Sequence, residues 1–254
     1  MNAMLGTVVA VEARKARASR VMIWITVILV GGLVALTGGM LLGAASGDEQ
    51  VLAKLGPLAA TGGWAGLVGV VVQIAAAGGL LAFGVALSWI FGREFADGTV
   101  SGLFALPVRR PTIAVAKLVV FAVWALGVAV VLTIAVALMG LALGYGATDA
   151  AGAAELLRVP VLVVLTALLA VPAAWAATLG RGLLPGIAAT VGIIVVSQVS
   201  AVIGVGVWVP FVAPALWAIA PSQVPPVALL AVSSVPFVFG SLCALAWGRL
   251  QLDR

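Results

Sequence analysis

Six long apolar runs, with the charges pushed to their ends, constrain this chain more than any other feature. About 20 apolar residues cross a bilayer as a helix, and the runs here are that long or longer. The chain is 64% hydrophobic and 8% charged, where a soluble domain carries about a quarter of its residues charged. Strand-sized alternation is absent, so the runs read as helices rather than barrel strands. The expected fold is therefore all-α and polytopic, with spans near 21–43, 64–91, 113–143, 157–179, 184–207 and 227–247. The fourth span should break or kink near Pro172. The first is too long for a signal-peptide core and reads as an uncleaved anchor. Residues 21–254 form the membrane domain and 1–20 a segment of a different kind.

That segment is amphipathic. Leu5, Val8, Val9, Ala13 and Ala16 recur at helical spacing, while Arg14, Lys15, Arg17 and Arg20 gather towards its end. It reads as an interfacial helix, with its apolar side in acyl chains and its cations near headgroups; a plain topogenic charge cluster is the alternative.

Charge also predicts orientation. With the N-terminus inside, the inner basic residues are Arg14, Lys15, Arg17, Arg20, Arg93, Arg109, Arg110, Lys117, Arg181, Arg249 and Arg254, leaving Lys54 and Arg158 outside. This split puts both termini and the loop 93–117 in the cytoplasm of a cell-membrane protein. Trp24, Trp89, Trp175 and Trp247 then fall near the inner interface, and Trp64 and Trp208 near the outer one.

Several chemistries are excluded by what is missing. The sequence has no His and a single cysteine, Cys243, so structural zinc, His-ligated haem and His-dependent catalysis have no residues. No catalytic or metal site is expected. The charge of +5 belongs to span flanks rather than to nucleic-acid binding. The three lysines, Lys15, Lys54 and Lys117, follow Arg14, Ala53 and Ala116, so no Walker A phosphate loop exists and any ATPase is another chain.

All ionisable residues fall outside or at the ends of the expected spans, which argues against a proton relay. The polar residues left inside are Gln73 in the second span, Ser197, Gln198 and Ser200 in the fifth, and Ser233 and Ser234 in the sixth. They are candidates for a translocation path, although such residues more often simply make interhelical hydrogen bonds. Gly39 with Gly43, and Gly140 with Gly144, have the spacing that lets helices approach closely. The link 208–226 has no charge and five prolines. Its backbone at membrane depth needs cover, which predicts re-entrant or interfacial helices on the outer side, with 213–220 helical; a proline-stiffened interfacial loop is the alternative.

The loop 93–117 carries four of the thirteen basic and two of the eight acidic residues. The second span should continue to Ala96 and be broken by Asp97-Gly98. Thr99 then N-caps a short helix over 100–106 that Pro107 ends. Leu103, Phe104 and Leu106 offer apolar contact, Arg109 and Arg110 follow, and Lys117 reaches the headgroups at the start of the third span. Such a helix lying across the bundle can press into a groove on a soluble subunit.

The pattern Glu94, Asp97-Gly98-Thr99, Leu103, Leu106-Pro107, Arg109-Arg110 and Lys117 resembles the loop of the type-2 group of ATP-binding-cassette (ABC) exporter permeases. The resemblance implies a cytoplasmic coupling helix between spans 2 and 3, and outer re-entrant helices between the last two spans. It implies two permease copies, a homodimer or a pair of related chains, working with two ATP-binding subunits that hold ATP and Mg²⁺. This chain itself would hold no cofactor. The expected cargo is apolar or amphipathic: a drug, a peptide antibiotic or a lipid-like molecule. Na⁺ export, a non-transporting scaffold or sensor, and a membrane-embedded enzyme are the alternatives.

Overall fold

Among residues 2–105 and 107–251, which the computed structural model describes, there is no β-strand. The chain opens with α1 (Asn2–Ala18) and, after the single residue Ser19, enters α2 (Arg20–Ala45). Then follow α3 (Glu49–Leu55), α4 (Gly63–Ala96), the short α5 (Val100–Phe104) and α6 (Arg110–Ala142). The second half comprises α7 (Ala150–Leu169), α8 (Val171–Leu179), α9 (Leu183–Val202), α10 (Ala213–Ile219), α11 (Pro226–Val232) and α12 (Ser234–Arg249). Six stretches among the described residues are long and apolar enough to cross a membrane: α2, α4, α6, α7 with α8, α9, and α11 with α12. The protein is an all-α, multi-pass membrane protein.

The punctuation follows local chemistry. Asp97 closes α4 and Gly98 takes φ +67°, a left-handed conformation that a residue without Cβ adopts freely. Ala170 separates α7 from α8 and Pro172 sits in the first turn of α8, where its missing N–H costs nothing. Asp149 caps α7 by accepting from the Gly152 N–H. That helix starts earlier than the expected fourth span, so Glu155 and Arg158 lie on it and pair at 2.6 Å. Thr99 makes no side-chain cap, and its hydroxyl donates back to the Glu94 carbonyl. The short helix ends at Phe104; Leu106 and the side chain of Phe104 lie outside the described residues.

Helix α4 is the central post. It packs against α2, α6, α7, α8 and α9, and it buries Leu67, Val71, Phe83, Leu87 and Phe91 along its length. At 34 residues it is about 51 Å long, and α6 at 33 is similar. Both exceed a hydrocarbon core of about 30 Å, so both carry their loop clear of it. By contrast, α9 buries only Gly186 and Thr190.

Close approach does occur, at glycines other than the expected pairs. A methyl at Gly92 would stand 2.6 Å from the Gly182 carbonyl carbon, one at Gly84 would meet Thr190, and one at Gly186 would meet Ser88. Nothing approaches Gly39, Gly43 faces only Val51, Gly140 receives the Trp64 ring, and Gly144 is a turn residue with φ +81°. Between α9 and α12 the proline-rich link forms α10, which packs back on α4 and α7 with Ala213, Pro214 and Ala218 buried. The last span is broken at Ser233.

Candidate functional site

One end of the bundle gathers α1, the loop 97–109, the turn 180–182 and the end of α12. It holds most of the described basic residues and is called the basic end below. An acid in the last turn of a helix faces its negative pole. Glu94, in the last turn of α4, is placed against that dipole, and Lys117 stands two turns into α6. The fold resolves this by bringing them together. Lys117 Nζ lies 3.0 Å from Glu94 Oε1 and 2.9 Å from Glu12 Oε2, and donates to the Ile90 carbonyl at 3.1 Å. Lys15 Nζ completes a ring, 2.7 Å from Glu12 Oε1 and 2.9 Å from Glu94 Oε1. Two acids and two lysines alternate around it, so the ring is formally neutral.

Burial gives this ring its weight. Lys117 is 1% exposed, Glu94 3% and Glu12 6%. An isolated charge there would be very costly, and a paired, hydrogen-bonded one is tolerated. Burial itself pushes the Glu12 carboxyl up, but Lys117 and then Lys15 outweigh it and hold it below the usual carboxylate range. Lys15 is pushed down by burial, and Glu12 and Glu94 carry it above its ordinary value. Glu94 Oε2 and Arg93 Nε are buried with no hydrogen-bond partner among the described residues. The Arg93 guanidinium instead sits 5.5 Å over the Trp89 ring.

The ring ties three elements together, and neighbours add two more. The Lys117 ammonium lies 5.8 Å from the Trp247 ring of α12, which Phe91 and Phe95 meet edge-on. The Trp247 indole donates to Thr178 of α8 at 3.1 Å. Ser19, the joint between α1 and α2, caps the Met22 N–H and accepts from the Trp89 indole at 3.0 Å.

Two sequence expectations are corrected here. Lys117 does not extend to headgroups: three acceptors turn it inward. Glu94 is not on the surface of the loop but beneath it. Glu12, which completes the site, was not singled out from the sequence; its one signal was being the only acid in an otherwise basic segment.

The remaining loop residues divide by exposure. Asp97, Gly98, Thr99, Pro107 and Arg109 are exposed. Leu103 is half-buried against the core. Arg110 is half-buried and its guanidinium donates to the Leu250 carbonyl, as Arg181 does to Gln251 at 3.2 Å. A groove of about 700 Å³ opens between the start of α1 and the loop, lined by Met4, Leu5, Pro107, Arg109, Pro111 and Val115.

The polar residues of the spans do not form one path within a single chain. Ser197 and Gln198 line a cavity of about 50 Å³ with Thr166 and Phe211, room for a few waters. Gln73 is exposed on α4. The Ser200 hydroxyl donates to the Val196 carbonyl of its own helix, as mid-span hydroxyls commonly do, and those of Ser233 and Ser234, at the break in the last span, donate back to Leu230 and Ala231 of α11.

Residues 8–197 match the family model described as ABC-2 family transporter protein. The matched stretch contains the whole charged ring and the loop, and stops before α10. None of the curated proteins matches the chain.

Proposed function

The chain belongs to the ABC-2 family of transporter proteins, and from that premise we propose that it is the membrane half of an exporter driven by a separate ATP-binding subunit. The basic end faces the cytoplasm, in keeping with the positive-inside bias of the charges. The exposed loop residues Asp97, Gly98, Thr99, Pro107 and Arg109, together with the groove beside Met4 and Leu5, receive the ATP-binding subunit. Two such subunits serve two permease copies, and the nearly bare face of α9 supplies surface for the second copy. The cargo is apolar or amphipathic, in keeping with spans whose exposed residues are almost all hydrocarbon.

The observation that carries this reading is the pairing of Glu94 with Lys117 at 3.0 Å. It clamps the two stems of the loop to each other, so a push on the loop moves α4 and α6 as one body. Through Glu12 the same push reaches α1. Transmission needs this stiffness, because a loop on slack stems would absorb the motion of its partner.

Arg109 makes the test clean, since it is exposed and outside the core. Arg109→Glu should abolish co-purification of a Walker A-bearing subunit from native membranes while leaving thermal unfolding unchanged. Retained near one-to-one recovery of that subunit would refute the docking surface. Leu103→Asp should uncouple ATP hydrolysis from transport as well, with some loss of stability because Leu103 packs on the core.

A further inference from the structure

Helices α1 and α2 diverge from Ser19, and α6 crosses the gap between them. The wedge they leave is a groove of about 580 Å³. Val9, Ala13 and Ala16 of α1 form one wall, Met22 and Ile23 of α2 the other, and Val120, Val123 and Trp124 of α6 the floor. Ile23 and Val123 are 52% and 64% exposed, so the groove opens outward. Its few polar atoms are satisfied from within. The Thr26 hydroxyl donates to the Met22 carbonyl and accepts from the Trp124 indole. The walls therefore ask for hydrocarbon and offer no unmet hydrogen bond.

The rim is different. Arg17 is the one ionic side chain lining the groove. It is exposed and in no ion pair among the described residues, and Arg20 beside it is exposed as well. Of the described carboxylates near this end, Glu12 and Glu94 are committed to Lys15 and Lys117, and Asp97 stands at the close of α4, outside the lining of the groove. The exposed indole of Trp24 lies on the same turn of α2, as suits headgroup depth. A cation at headgroup depth above a hydrocarbon slot is complementary to one kind of molecule that the bilayer supplies.

We propose that this groove is a binding site for an anionic phospholipid, with an acyl chain between α1, α2 and α6 and the headgroup phosphate on Arg17. The site is distinct from the groove beside the loop, with which it shares no lining residue. It also borders the charged ring: Ala16, Met22 and Val120 line both this groove and the small cavity beside Glu12 and Lys117. A bound chain would back α1 against the ring, making the docking of α1 depend on membrane composition.

Native mass spectrometry of the full chain in mild detergent tests this, titrated with dioleoyl phosphatidylglycerol or dioleoyl phosphatidylcholine. The wild-type chain should retain the anionic lipid about fivefold over the zwitterionic one, the preference of a single basic side chain near a headgroup. Arg17→Gln should bring the ratio near one, while Arg249→Gln, an exposed arginine elsewhere, leaves it unchanged. Ala13→Phe, which fills the slot, should lower retention of both lipids. An unchanged ratio in Arg17→Gln, an equal fall in Arg249→Gln, or wild-type retention in Ala13→Phe would each overturn the site.

Discussion

Replacing Lys117 with Met keeps the aliphatic stem and removes the ammonium. In the native protein that ammonium lies 2.9 Å from Glu12, 3.0 Å from Glu94 and 3.1 Å from the Ile90 carbonyl, with 1% of the side chain exposed. Its loss leaves two buried carboxylates sharing Lys15, which is 31% exposed and in contact with only one oxygen of each. Breaking a buried pair in this way costs about 3–5 kcal/mol. For a chain of this size that is a fall in melting temperature of roughly 6–20 °C. The protein carries its own reporter. Cys243 is its single cysteine and is fully buried, so a thiol-reactive dye lights up only as the bundle opens. A shift below about 2 °C would refute the claim that the ring holds this end together. Replacing Glu12, Glu94 and Lys117 together with Leu, Leu and Met should recover most of the loss, because an apolar substitute for the buried members of an ion cluster is often near neutral and Lys15, 31% exposed, keeps its access to water.

The pH dependence of the same melt has a defined sign. Glu12, lowered from 4.5, contributes stability that is present above that value and lost as pH falls through its folded pKa. Lys15, raised from 10.5, contributes below that value and loses it as pH rises through its own. The melting temperature should therefore hold between these limits and drop outside them, and Glu12→Gln should flatten the acid limb. Gly92→Ala would place a methyl 2.6–2.7 Å from the Gly182 and Leu183 backbone. Backbone cannot swing aside, so the dye assay should register a loss of about 1–3 kcal/mol.

Much of the architecture was legible because it rests on local chemistry. Apolar run length told of six membrane-length helices, Asp97-Gly98 of the end of α4, Pro172 of the break before α8, and the prolines around 213–220 of the extra helix α10. What escaped was non-local. Glu12 meets Lys117 across 105 residues and Lys15 meets Glu94 across 79, and no periodicity encodes such pairings. Glu94 and Lys117 are visible as charges, but a lysine at a span boundary ordinarily reaches outward, so sequence alone reads them as surface groups. The Thr99 cap failed because a tight turn at Gly98 aims its hydroxyl backwards. The expected glycine pairs failed because small residues permit contact without specifying which helix arrives.

The separation between Glu12 and its partners bears on how the molecule is made. Synthesis runs from the N-terminus, so α1 emerges and reaches the bilayer surface long before Glu94 exists, and longer still before Lys117. During that interval the Glu12 carboxylate has only Lys15, three residues away, and must stay in water. Only after the third span has been inserted can α1 roll its acidic side under the bundle. A segment translated before all six spans is thus among the last to be seated. A pulse-chase in which crosslinking between α1 and α6 lags insertion of the third span would record that order.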